Sequence, residues 1–130
     1  IDMAIEGEKK LRTSAVEFSL PTPSYTIDTL TYLKEKHPNY IFSIIMGSDS
    51  LQNIRKWKNY ELLIKNYQIL VYERPGFGNE NNFENIVTLK AYLLDISSSK
   101  IREMIKRGDS IKFLVPDVVK EEIERNHYYK

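Results

Sequence analysis

The chain has 130 residues, with 19 Lys and Arg against 18 Asp and Glu, so its net charge at pH 7 is only +1. The length is sufficient for one domain, residues 1–130, with a real core. So small a net charge gives no general attraction to nucleic acid or to a membrane surface, and any anion site must be local.

The residue types also limit the chemistry and the compartment. The chain has no cysteine and two histidines, which excludes disulfides and thiolate metal sites and disfavours a histidine metal site. No apolar run approaches the roughly 20 residues of a membrane-spanning helix, so we expect a soluble, cytoplasmic protein. Residues 1–6 are more typical of the end of an amphipathic helix than of a protein's start, and we expect an N-terminal portion to precede them.

Apolar patterns predict the elements of the first half. Residues 15–20 alternate apolar and polar side chains, which predicts an edge strand. An apolar stripe from Ile27 to Leu33, ended by Pro38, predicts a helix of about three turns. Residues 40–46 are nearly all apolar, as expected of a central parallel strand buried on both faces.

The second half continues the alternation of helices and strands. Residues 53–66 read as helical, 68–73 and 87–95 as strands, and the polar stretch 79–84 as a loop. A helix that ends at Gly108 and a last helix with Pro116 in its first turn follow. The order predicts an α/β fold with a mostly parallel three-layer sheet.

A serine cluster at residues 97–99 opens the helix that ends at Gly108. Ser97 or Ser98 is a suitable N-cap, and the first N–H groups of a helix attract anions. Arg102, one turn inside the helix, can reach back and hold phosphate oxygens with two parallel bonds. The alternative is an ordinary capped helix with a solvated arginine.

Polar residues also follow the two buried strands at their carboxyl ends, where open parallel sheets bind ligands. Gly47 permits close backbone approach, and Asp49 is suited to ribose hydroxyls or a metal-bound phosphate, unless it only caps the next turn. Arg74 follows the second strand and faces the same rim. Trp57 lies among charged residues and either covers the core or stacks on a planar ring. Because its neighbours are charged, we expect it to be at least partly exposed beside a cleft.

Six segments carry a resemblance to a known family: Pro23-Ser24-Tyr25-Thr26 with Asp28-Thr29-Leu30, Gly47-Ser48-Asp49-Ser50-Leu51, Trp57, Arg74-Pro75-Gly76, Ile96-Ser97-Ser98-Ser99 with Ile101-Arg102, and Leu114-Val115-Pro116 with Val119 and Tyr129. Their order and spacing resemble bacterial nicotinate-nucleotide adenylyltransferases of the nucleotidyltransferase superfamily, over the C-terminal two thirds of such an enzyme. The resemblance implies a Rossmann-like fold lacking its N-terminal strands. It also implies transfer of the adenylyl group of ATP to nicotinate mononucleotide, with Mg²⁺, giving deamido-NAD and pyrophosphate.

The resemblance also implies roles for single residues. Ser98, Ser99 and Arg102 would bind the ATP phosphates, and Gly47 and Asp49 would face the nucleotide ribose and phosphates. Tyr25 and Thr26 would meet the nicotinate carboxylate, and Trp57 would stack on the nicotinate ring. Arg74 would lie by the same cleft, without an assigned role.

Two departures from the family pattern affect the expected site. Lys58 stands where an aromatic residue is frequent after the tryptophan, and Ser99 replaces a frequent threonine. The family's His-x-Gly-His pair, which stabilises the α-phosphate, is not in this sequence. His37 and His127 read as structural or solvent residues, so we expect the 130 residues alone to be inactive.

Three other readings stay open. The first is an adenylyltransferase that acts on nicotinamide mononucleotide or another phosphate ester, such as phosphopantetheine. The second is a non-catalytic nucleotide-binding module. The third, a nucleic-acid binder that uses Arg55, Lys56 and Lys58 around Trp57, is disfavoured by the low net charge. We also expect residues 40–46 to present an unpaired apolar edge through which the chain could self-associate.

Overall fold

The computed structural model describes residues 1–77, 83–89 and 96–130. The chain divides into two compact units. We call residues 15–95 the sheet unit, and residues 1–14 with 96–130 the helical unit. Each is described by itself below.

The sheet unit is an α/β arrangement around three parallel strands. Its elements are α1 (Thr26–Lys36), β1 (Ser43–Gly47), α2 (Ser48–Gln52), α3 (Tyr60–Asn66), β2 (Gln68–Tyr72) and β3 (Ile86–Leu89). The strand order is β1-β2-β3, and Leu70 of β2 lies opposite Ile45 on one side and Val87 on the other. The predicted α/β fold class with a parallel sheet is confirmed. The strand predicted over residues 87–95 begins one residue earlier, and its second half lies outside the described residues, as does most of the predicted loop 79–84.

Alternating side chains of β1 and β2 build the core of this unit. Met46, Ile69 and Val71 are buried against Leu51 and Ile54. A second buried cluster joins α1 to α3 through Ile27, Leu30 and Leu63. Ile44 and Trp57 pack against both clusters, so they link the helices to the sheet.

The expectation that residues 40–46 form a central strand buried on both faces is wrong for the described sheet. Only residues from 43 onward are in β1, and among the described strands β1 pairs with β2 alone. Ile41 is 94% exposed and Ile45 is 71% exposed. The apolar composition predicted burial, but burial requires a neighbouring element on that face, and the described residues supply one only on the face of Ile44 and Met46.

The edge strand predicted over residues 15–20 is also wrong. Residues Val16–Ser19 form a 3₁₀ turn, in which the Phe18 N–H donates to the Ala15 carbonyl at 3.0 Å. The Phe18 side chain is 93% exposed. Alternation stabilises a strand only where a neighbouring strand accepts its backbone hydrogen bonds, and here local bonds satisfy the backbone instead.

The helical unit contains α4 (Ser98–Arg107), α5 (Asp117–Arg125) and a 3₁₀ turn at Asp2–Ile5. Both predicted ends of α4 are confirmed: the Ser97 Oγ accepts the Lys100 N–H at 3.2 Å, and Gly108 ends the helix in the left-handed region, at φ 77°. Within the described part of the chain, no helix is long and apolar enough to cross a membrane.

Candidate functional site

A pocket of about 300 Å³ in the sheet unit brings together the three residues predicted to meet the nicotinate group. Tyr25, Thr26 and Trp57 all line it, although more than 30 residues separate Trp57 from the other two in sequence. The described lining consists of Ser24, Tyr25, Thr26, Lys56, Trp57, Lys58 and Leu63. The exposed surface of this cavity is mostly apolar, as in most small-molecule sites, although four of the seven lining residues are polar or charged.

The start of α1 forms one wall of the pocket. Tyr25 is extended, with φ −122° and ψ 141°, and its carbonyl accepts the N–H groups of Asp28 and Thr29 at 3.0 and 3.1 Å. No side chain among the described residues caps this helix end. The first N–H groups of α1, at the positive end of its dipole, are therefore suited to an anionic substituent of a ligand in the pocket.

A break in the helix predicted over residues 53–66 places the tryptophan. Ile54–Lys56 form a 3₁₀ turn, Trp57 is extended with ψ 147°, and Asn59 is left-handed with φ 50° before α3 begins. Asparagine tolerates this conformation better than most residues. The break leaves Trp57 half-buried, with core contacts and a face on the pocket. The expectation of a partly exposed tryptophan beside a cleft is confirmed.

Lys58 is one of the pocket residues whose placement the sequence did not reveal. Its Nζ lies 2.7 Å from Asp28 Oδ2 and 4.7 Å from the centroid of the Tyr25 ring. Lys58 and Asp28 are 30 residues apart, so no local pattern links them. The only sequence signal was the unusual charge directly after Trp57.

The turns that follow β1 and β2 contact each other. An Arg74 Nη1 lies 3.3 Å from Asp49 Oδ2, and the Arg74 backbone N–H donates to the Oγ of fully buried Ser48 at 2.9 Å. A Cβ on Gly47 would collide with the Asp49 carboxylate and approach the Arg74 Nε to 3.2 Å. The structure thus brings Gly47, Asp49 and Arg74 together as predicted. Glycine is required at position 47 because a side chain would not fit there, and not because the backbone has a positive φ.

The predicted phosphate residues lie at the start of α4, in the helical unit. Arg102 does reach back along the helix, since its Nη2 donates to the Ser99 Oγ at 3.1 Å. Its guanidinium carbon is also 6.0 Å from the centroid of the Tyr129 ring. Ser98 and Ser99 are exposed and Arg102 is half-buried. A guanidinium beside exposed hydroxyls at the positive end of a helix is a suitable arrangement for binding phosphate oxygens.

Both histidines have structural surroundings. His37 ends α1 and stacks on Tyr40 with the ring centroids 5.1 Å apart. His127 Nδ1 lies 2.9 Å from Lys130 Nζ. Among the described residues there is no group of three or more His, Cys, Asp or Glu side chains that could hold a metal ion.

Comparison with known proteins first defines the class. A family model described as Cytidylyltransferase-like matches residues 5–104. This match covers most of the chain, including β1 to β3 and the start of α4, and is consistent with the parallel sheet.

Closer relatives define the family. The chain is 44% identical over 132 residues to a probable nicotinate-nucleotide adenylyltransferase of Flavobacterium johnsoniae. The alignment covers 98% of this chain and 68% of the relative. The chain is 41% identical over 131 residues to the probable nicotinate-nucleotide adenylyltransferase of Cytophaga hutchinsonii, with 99% and 68% covered. The chain belongs to the nicotinate-nucleotide adenylyltransferase family, a family of nucleotidyltransferases.

A solved structure supports the same assignment. The Plasmodium falciparum nicotinic acid mononucleotide adenylyltransferase complexed with NaAD superimposes with a TM-score of 0.70 at 26% identity, over 82% of this chain and 57% of that one. The predicted family and nucleotidyltransferase fold are confirmed. The chain spans about two thirds of the length of its curated relatives, and the roles of its single residues stay predictions.

Proposed function

We propose that the full-length protein transfers the adenylyl group of ATP to nicotinate mononucleotide and releases pyrophosphate and deamido-NAD. The family supports the reaction class, and one observation supports the acceptor. In a chain of this family, Tyr25, Thr26 and Trp57 converge on one pocket large enough for a pyridine ring.

The proposed acceptor site uses both walls of this pocket. Trp57, half-buried and held by the core, stacks on the pyridine ring. Tyr25 and Thr26 present the uncapped start of α1 to the ring carboxylate. Because the tryptophan is fixed by packing on both clusters, it is pre-organised, and less ordering entropy is lost on binding.

The remaining predicted residues lie in both units, and each unit is given its own proposed contribution to nucleotide binding. Gly47 leaves room for a close approach, and Asp49 accepts hydrogen bonds from ribose hydroxyls. Arg74 positions Asp49 through the contact at 3.3 Å. Ser98, Ser99 and Arg102 hold the ATP phosphates, with Arg102 already bonded to Ser99.

In the proposed reaction an oxygen of the nucleotide 5′-phosphate attacks the α-phosphorus of ATP in line. A bond forms from this oxygen to phosphorus as the bond from phosphorus to the oxygen bridging to the β-phosphate breaks, and pyrophosphate leaves with that electron pair. The chain's contribution is positioning and charge stabilisation, since this displacement needs no protein nucleophile. Arg102 and the serine hydroxyls stabilise the charge that builds on the leaving group.

Magnesium is proposed to enter as the ATP complex. Mg²⁺ commonly binds through substrate phosphates and only one or two carboxylates. Asp49 is the carboxylate among the predicted site residues, and among the described residues its contact with Arg74 is through Oδ2. The bound ion would share the charge of the leaving pyrophosphate. The cytoplasmic location stays a prediction.

The test is an adenylyl-transfer assay on the full-length protein, with pyrophosphate release measured against nicotinate mononucleotide, nicotinamide mononucleotide and phosphopantetheine. Transfer to the nicotinate substrate with the highest kcat/KM is expected. A higher kcat/KM for another acceptor would replace the proposed substrate, and ATP binding without transfer to any acceptor would indicate a nucleotide-binding module.

A further inference from the structure

Lys58 is held in a defined position at the edge of the pocket. Its ammonium is paired with Asp28 at 2.7 Å and lies over the Tyr25 ring at 4.7 Å. Both partners belong to the start of α1, whereas Lys58 lies in the turn before α3. A surface lysine usually samples many rotamers, whereas this one contacts the start of α1 from the turn before α3, and residues of both segments line the pocket.

The described lining of the pocket is positively charged. It contains Lys56 and Lys58 and no carboxylate, because Asp28 contacts the Lys58 ammonium without lining the pocket. Lys56 Nζ donates to the neutral Oδ1 of Asn53 at 2.8 Å. A ligand group that enters this pocket therefore meets two cations and the positive end of α1.

We propose that Lys58 is a specificity-determining residue that favours a pyridine ring bearing a carboxylate over one bearing a carboxamide. This inference rests on the proposed function. The two substituents have nearly the same size and shape, so the walls of the pocket distinguish them poorly. They differ in charge, and a fixed cation distinguishes charge.

The geometry allows Lys58 to serve this role while it remains paired. An ammonium has three donors, and Asp28 Oδ2 engages one of them. The side chains of Lys58 and Asp28 are partly exposed, at 42% and 43%, so water and salt reduce the attraction. We therefore expect a preference of about 2- to 5-fold from this residue, which is within the range of a partly screened charge pair.

The experiment uses the full-length protein and measures kcat/KM for nicotinate and nicotinamide mononucleotides. Lys58→Met retains the aliphatic stem and removes the charge, and Lys58→Arg retains the charge. Lys56→Met is the matched control, because Lys56 lines the same pocket but bonds to Asn53. Calorimetric binding of the two mononucleotides without ATP provides a second measurement that does not depend on catalysis.

We expect Lys58→Met to lower kcat/KM and affinity for the nicotinate substrate by about 2- to 5-fold, with the values for the nicotinamide substrate unchanged. Lys58→Arg should retain the preference, and Lys56→Met should reduce it less. In wild type the preference should shrink as salt is raised, and in Lys58→Met it should shrink less.

Two results would overturn the inference. One is an unchanged substrate ratio in Lys58→Met, including an equal loss for both substrates, and the other is an equal effect of Lys56→Met. If Lys58→Met does not fold, loss of the preference in Lys58→Arg would also contradict it. If the wild-type protein transfers the adenylyl group to neither substrate, the proposed function is refuted instead. In that case, equal calorimetric affinities of the wild-type protein for the two mononucleotides would refute the inference as well.

Discussion

Arg74 donates its backbone N–H to the Oγ of Ser48 at 2.9 Å, across 26 residues of sequence. Ser48 begins α2 directly after β1, and Arg74 follows β2. The bond therefore joins the turns at the carboxyl ends of two paired strands. It fixes the backbone from which Arg74 reaches Asp49.

Ser48→Ala is expected to destabilise the full-length protein by about 1–3 kcal/mol, because the Arg74 N–H loses its acceptor in a part-buried place. Denaturant unfolding measures the change. Ser50→Ala is the matched control, since Ser50 lies in the same helix but is only half-buried. Equal losses in the two variants would show that the contact with Arg74 is not the cause.

Gly47→Ala is expected to lower kcat/KM, because the new Cβ displaces the Asp49 carboxylate and crowds Arg74. Overpacking of this kind typically lowers the free energy of unfolding by about 1–3 kcal/mol. Gly76→Ala is the control: its Cβ would meet no atom within 4 Å among the described residues, but its φ of 84° makes the backbone strained. Gly76→Ala should thus lose stability and retain activity, and a loss of activity as large as that of Gly47→Ala would argue against the steric explanation.

Trp57→Ala and Arg102→Ala are expected to affect different substrates. The tryptophan variant should raise KM for nicotinate mononucleotide, because it removes the wall of the pocket. The arginine variant should raise the activation barrier for transfer from ATP by about 3–4 kcal/mol, and so lower the rate, by analogy with a lost charge-stabilising donor. Steady-state kinetics with each substrate varied in turn measures both effects.

Arg107→Ala is the control for Arg102→Ala. Arg107 is the last residue of α4 and pairs with Asp109 at 3.1 Å, away from the serines in sequence. It should leave ATP kinetics unchanged. Effects of Trp57→Ala and Arg102→Ala that are equal on both substrates would refute the division between acceptor and donor sites.

The exposed side chains beside β1 predict the behaviour of the 130-residue chain alone. We expect it to self-associate, because Ile41 and Ile45 are exposed and the described β1 pairs only with β2. We expect no adenylyl transfer from it, because the sequence does not contain the family's His-x-Gly-His pair. Sedimentation velocity measures the association. Ile45→Lys should reduce it, and Leu62→Lys, which charges an exposed leucine of α3, should not. A monodisperse monomer with turnover near that of the full-length protein would contradict both expectations.

Local sequence was sufficient where local hydrogen bonds build the structure. The start of α4 at Ser97, its end at Gly108 and the return of Arg102 to Ser99 all depend on residues within one or two turns of each other. Caps and helix-terminal glycines are recognisable in sequence for that reason. The family motifs were recognisable because their order and spacing along the chain do not require knowledge of the contacts.

Only the tertiary structure decided where distant segments meet. The pairs Lys58–Asp28 and Arg74–Ser48 are 30 and 26 residues apart, and nothing in the local pattern of either partner indicates the other. The alternation around Phe18 indicated a strand, yet an extended segment becomes a strand only when another strand accepts its hydrogen bonds. The sequence by itself thus determined the family and the ends of α4, and long-range packing determined which cations and aromatic rings share the pocket.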